Sequence, residues 1–255
     1  MNPMRVGVFF GLILFASSVL PAVDSTTQLP KDGWWVRYFV TMTREGIEDI
    51  TTKRTYSLVG TTTENGEKCR WVEIKSVQLI NGKEQTNTMK FLIPEKELLD
   101  GEKPLESLVR AWRQFDDGPV EEQKFNQPLG VAGSVVSADF AWGRDLMVFP
   151  GPQRKSQLSA EKEKRVIEYQ QGRLETGEGR TGQHVAARRA LTNGEKQEFT
   201  TDFTVWNHAT VAPACAAMRQ RIEYRRNDAL IRTITEELVI EDFGMDAKST
   251  LPENQ

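Results

Sequence analysis

The side chains able to do chemistry are few and scattered. His184 and His208 are the two histidines, and neither has a cysteine or second histidine at metal-ligand spacing. His184 alternates along a strand pattern with Ala186 and Arg188, as a surface histidine does. His208 follows Trp206-Asn207 and reads as a turn cap. No serine stands in a Gly-x-Ser-x-Gly elbow, and neither cysteine has a histidine beside it. Gly130-Val131-Ala132-Gly133 lacks the Gly-Lys-Ser/Thr that a phosphate-cradling loop requires. Glu236-Glu237 and Glu241-Asp242 fall on a strand pattern, which sends neighbours to opposite faces and splits each pair. Glu236 shares a face with Ile234 and Leu238, so if buried it needs a partner, for which Arg232 is the near candidate. A single inward carboxylate suits a glycosidase acid less well than it suits an ion pair. Arg219, Arg221 and Arg225 form a basic stripe interrupted by Glu223, and pairing to Glu237 or Glu241 across the strands accounts for it. These residues carry no catalytic or metal motif, and neither metal nor cofactor is expected.

The elements that position them are strands. Phe199, Thr201, Phe203 and Val205 share one face of a run; Ala216, Met218, Gln220, Ile222 and Tyr224 share another, opposite Ala217, Arg219, Arg221, Glu223 and Arg225. Leu230, Ile234, Leu238 and Ile240 follow after the turn Arg226-Asn227-Asp228. Such period-two alternation predicts antiparallel sheet with one face on a core and one toward water. A first strand runs from about Trp34, then Ile50–Thr63, Lys68–Ile80 and Glu84–Ile93 form a meander. Asn65-Gly66 and Asn81-Gly82 join those strands, and Asn193-Gly194 joins a later pair; Asn-Gly tolerates the positive φ of a type I′ turn. Arg165–Tyr169 and Arg173–Thr176 read as a short hairpin. Gly177, Gly179 and Gly182 then suggest a loop.

Leu105, Leu108, Val109, Trp112 and Phe115 follow the 3.6-residue period, and Pro104 stands at the start, so 104–115 is predicted to be a helix docked on the sheet. Glu95–Asp100 reads as a shorter helical turn. Glycine and proline make 116–164 irregular, with Phe140, Trp142 and Phe149 concentrating apolar surface there as a cover or ligand lid. Gln153–Lys164 is charged and reads as an exposed segment or short helix.

Arg5 followed by about 15 apolar residues, fewer than the ~20 that span a bilayer, reads as a secretory signal ending near Pro21-Ala22. The expected plan is therefore 1–22 signal peptide, 23–32 flexible, 33–244 one β domain with a helical insertion around 95–115 and the loop 116–164, and 245–255 a polar tail. The protein is expected to be periplasmic or secreted, and not membrane-spanning after cleavage. Hydrophobic residues at 38% and charged residues at 27% fit a soluble globular domain, and a formal charge of -3 argues against a general nucleic-acid binder. In an oxidising compartment Cys69 and Cys215 leave two readings. They either close a loop of about 145 residues, worth ~4–5 kcal/mol if unstrained, or stay apart as buried thiols.

The signal, the long strand meander, the inserted amphipathic helix and the late irregular loop resemble the lipoprotein-carrier (LolA/LolB-like) superfamily. Phe203-Thr204-Val205-Trp206, Val211-Ala212-Pro213 and the run from Glu237 to Gly244 are similar to exported proteins of planctomycete type. The resemblance implies a mainly β fold: a single curved antiparallel sheet, or incomplete barrel, of about ten strands with one or two helices on its concave face. It implies a non-enzymatic binding protein holding a lipid or acyl chain. Residues expected at the cavity or lid are Leu108, Trp112, Phe140, Trp142, Phe149, Met218, Ile222 and Tyr224. The alternative is a cell-envelope structural or interaction module that meets a protein partner and has no small ligand.

Overall fold

The computed structural model describes residues 29–100, 108–122, 159–189, 196–211 and 215–251. The expected signal peptide, the lid residues Phe140, Trp142 and Phe149, and the Asn193-Gly194 turn lie outside them. Among the described residues thirteen strands are present: β1 Trp35–Arg44, β2 Ile47–Glu64, β3 Glu67–Ile80, β4 Lys83–Pro94, β5 Arg110–Phe115, β6 Glu121–Glu122, β7 Ser159–Lys162, β8 Val166–Tyr169, β9 Gly172–Glu175, β10 Gly179–Arg189, β11 Lys196–Asn207, β12 Cys215–Arg226 and β13 Ala229–Gly244. Eleven form one antiparallel sheet in the order β6-β5-β4-β3-β2-β1-β13-β12-β11-β10-β7, and β8 pairs with β9 apart from it. The sheet is not closed into a barrel, since β6 and β7 end the order at opposite edges.

Local turn chemistry sets the hairpins. Asn65 and Gly66 adopt φ of 51° and 80°, and Asn81 and Gly82 51° and 75°, the left-handed pairs that match strand twist. Asn227 and Asp228 turn β12 into β13 in the same region. The first strand and the last are then brought together at the centre of the sheet, Val40 opposite Leu238, with a bulge at Arg37/Tyr38.

Alternation divides the strands into two faces. The first carries Val36, Tyr38 and Val40 of β1, Tyr56 and Leu58, Val72 and Ile74, Met89, Phe91 and Ile93, Leu238 and Ile240, Met218 and Val205, all within one buried cluster. Burial of this kind, at roughly 25 cal/mol per Å², is the main force holding such a sheet. The second face holds a separate cluster of Cys69, Trp71, Leu92, Trp112 and Leu251 over β3 to β5. Farther along that face the β8–β9 hairpin is tied down: Arg165 meets Glu237 at 2.9 Å and lies over Trp206. Gln171 donates to Asp242 Oδ1 and to the Phe243 carbonyl.

Three local expectations are corrected. The helix at 104–115 is not formed over its second half, because Arg110–Phe115 is a strand paired to β4. Its apolar residues serve both sheet faces: Ala111 stands opposite Phe91 in the first cluster, and Trp112 stacks on Trp71 at 4.8 Å in the second. A β4 edge with unmet backbone groups overrides an ambiguous 3.6-residue spacing. Among the described residues the α-helix is α1, Glu95–Asp100. Gly179 and Gly182 are strand residues rather than loop, paired to Lys162 and Phe203. Within the stretch read as an exposed segment or short helix, Ser159–Lys162 is an edge strand paired to the start of β10.

Candidate functional site

A polar island interrupts the apolar first face. Arg54 stands opposite Tyr38 across β1, and Glu236 stands opposite both Met42 and Gln220. Directly opposed residues of an antiparallel pair share a side, and Tyr38 and Met42 alternate onto the same side of β1, so these side chains point the same way. Glu236 is 0% exposed, Gln220 1% and Arg54 5%. Arg54 Nη1 lies 3.5 Å from Glu236 Oε1 and 3.5 Å from the Tyr56 hydroxyl. Gln220 Nε2 donates to Glu236 Oε2 at 2.5 Å. A charge buried alone is expensive, so the guanidinium and amide are what keep this carboxylate in the core. Gln220 Oε1 is left without a donor, an acceptor held inside an apolar face. Nearby, the Tyr38 hydroxyl donates to the Cys215 carbonyl at 2.8 Å, and its ring meets Tyr56 edge-on. Burial above all, with Cys215 and Tyr56 adding, pushes the Tyr38 phenol well above its ordinary value, so it stays a donor.

The partner of Glu236 is therefore Arg54, not Arg232. On the second face Arg219 reaches Glu237 at 3.4 Å, as the stripe suggested, and Arg221 and Arg225 both reach Glu223 at 2.9 Å. Glu241 serves other cations: Arg37 at 2.5 Å and Lys53 at 2.9 Å. His208 accepts from the Thr210 amide through Nδ1 at 3.2 Å, capping its turn. His184 sits on β10 opposite Thr201.

Of the residues expected to line a cavity, Met218 and Ile222 are buried on the first face and Tyr224 is half-buried beyond them. Leu108 packs against the same large cluster as Met218. Trp112 is brought to the opposite face and shares nothing with them. Cys69 and Cys215 are buried, unbridged and in different clusters, as in the second of the two readings. Burial pushes the Cys69 thiol up, helped by the carboxylates of Glu67, Glu64 and Glu95 against a lowering backbone hydrogen bond. A cleft of about 220 Å³ is lined by Glu67, Lys68, Pro94, Glu95 and Lys96, beside Cys69 and apart from Met218, Ile222 and Tyr224. Among the described residues no three His, Cys, Asp or Glu side chains converge to hold a metal.

Among the further buried charges that escaped the sequence reading are Glu73 and Lys90, opposite one another on β3 and β4 and 3% and 0% exposed. Their signal is a charged residue inside each otherwise buried run, Trp71–Ile74 and Met89–Ile93. Both hold the C-terminal segment, which is no free tail: Leu251 is 3% exposed. No protein-family model, curated protein or solved structure matches the chain. No helix among the described residues is long and apolar enough to cross a membrane.

Proposed function

We propose that the chain is an exported, non-enzymatic binding protein of the lipoprotein-carrier kind, periplasmic or secreted, whose first sheet face holds an acyl chain. In this reading the unclosed sheet curls into an incomplete barrel around the ligand. One observation carries it: a single sheet, open at both edges, presents an apolar face from Phe91 on β4 to Val205 on β11. A long apolar ligand needs such a face, and a few inward polar groups such as Gln220 Oε1 to hold it in place. Met218, Ile222, Tyr224 and Leu108 are the contact residues, with Phe140, Trp142 and Phe149 as the lid.

Native mass spectrometry of the full chain expressed with its own N-terminus in an oxidising compartment tests this. Adducts that extract as fatty acids or phospholipids are expected. A bare monomer that stays empty when offered lipid vesicles overturns the reading. It would favour the second reading, an envelope interaction module, for which the specific observation is exposed Leu79, Leu230 and Ile231, 66%, 50% and 54% accessible close to hairpin turns.

A further inference from the structure

Residues 249–251 are held on the second face almost wholly by side chains of β3, β4 and β5. Glu73 accepts from Ser249 Oγ at 2.8 Å, from Thr250 Oγ1 at 2.8 Å, from the Thr250 amide at 3.1 Å and from the Leu251 amide at 3.4 Å. Lys90 Nζ donates to the Leu251 carbonyl at 3.1 Å and lies over the Trp71 ring. The Leu251 side chain fills an apolar seat among Cys69, Trp71, Leu92 and Trp112. Upstream the segment is tethered where the Ala247 amide donates to the Gly33 carbonyl at 2.9 Å. Gly33 has φ +91°, and a Cβ there would come within 2.6 Å of the Met245 carbonyl oxygen.

Every group that grips the segment belongs to strands whose positions are set by their own ladders, through the registers Glu73↔Lys90 and Lys90↔Trp112. The seat is therefore built from residues other than those that fill it. What it recognises is local: two hydroxyls and two successive amides for a carboxylate, one carbonyl for an ammonium, one leucine for an aromatic pocket. Charge-assisted hydrogen bonds of this sort are the strong and directional ones. We infer that the second face of β3 to β5 is a binding site for a Ser-Thr-Leu peptide segment, filled in cis by the chain's own residues 249–251. The cis occupant is a three-residue stretch outside the strand ladders, a class of element that opens locally at less cost than a paired strand, so a competing segment of the same chemistry can replace it.

The test compares the full chain with a chain ending at Lys248, each titrated calorimetrically with the synthetic peptide Ala247–Pro252. The shortened chain is expected to bind one peptide saturably, and the full chain far more weakly because its seat is occupied. A peptide carrying Ser249→Ala and Thr250→Ala is expected to bind at least about tenfold more weakly, since charged hydrogen bonds are lost. Absence of binding by a shortened chain that keeps its β-sheet circular dichroism overturns the inference. So does equal binding of the alanine peptide, or equal binding by the full chain. A second measurement stands apart from truncation: in the full chain, Glu73→Gln should speed amide exchange at Thr250 and Leu251 by about tenfold, as one weakened charged acceptor implies, and leave β1 unchanged. If the shortened chain does not fold, this exchange decides alone, and unchanged rates overturn the site.

Discussion

Arg54 and Glu236 are separated by 182 positions in the chain, yet Nη1 and Oε1 stand 3.5 Å apart inside the sheet's apolar face. Removing Arg54 takes a guanidinium from beside the buried Glu236 carboxylate, and removing Glu236 takes a carboxylate from beside the buried guanidinium. Arg54→Met is expected to cost about 3–5 kcal/mol, whereas Arg54→Met with Glu236→Leu recovers most of it, because two apolar groups need no partners. Urea unfolding of the two variants measures this. A single variant within about 1 kcal/mol of the parent would show that the pair carries little weight.

Glu241 sets an acid limit on stability. Burial works to raise its pKa, but hydrogen bonds from Lys53 and Arg37 and their charges outweigh it, so the carboxyl titrates below its ordinary value of 4.5. A depressed folded-state pKa contributes stability that is present above the unfolded value and is lost as pH falls through the folded one. The parent should therefore exceed Glu241→Gln in unfolding midpoint at pH 7, with the gap closing as pH drops below 4.5. A gap that stays constant across that window would remove Glu241 from the account.

The two thiols give a chemical readout of the fold. Cys69 and Cys215 are both buried with no disulfide between them, and an enclosed thiol is a poor nucleophile. Protein handled without reductant should therefore react very slowly with a thiol reagent when native and release two equivalents when unfolded in urea. Silence in urea, restored by reductant, would mean that the cysteines are bonded.

Strand existence was legible because alternation is a local property: Met218, Gln220 and Ile222 declare a buried face by spacing alone, and Asn81-Gly82 declares its turn by the φ it tolerates. The same spacing misled at Leu108, Val109 and Trp112, where period 3.6 and period two overlap over a few residues. Only the free edge of β4 decided between them, by pairing Trp112 with Lys90.

Sequence by itself determined a β protein with two-sided strands, the hairpin turns, and the charged and apolar sides of β12. Tertiary structure alone decided that β1 joins β13, that Glu236 meets Arg54 rather than nearby Arg232, and that Glu73 and Lys90 seize the C-terminal segment. The physical reason is the range of each interaction. Turn geometry and alternation act within a few residues, while a buried charge is satisfied by whichever group the sheet order brings beside it, at any distance along the chain.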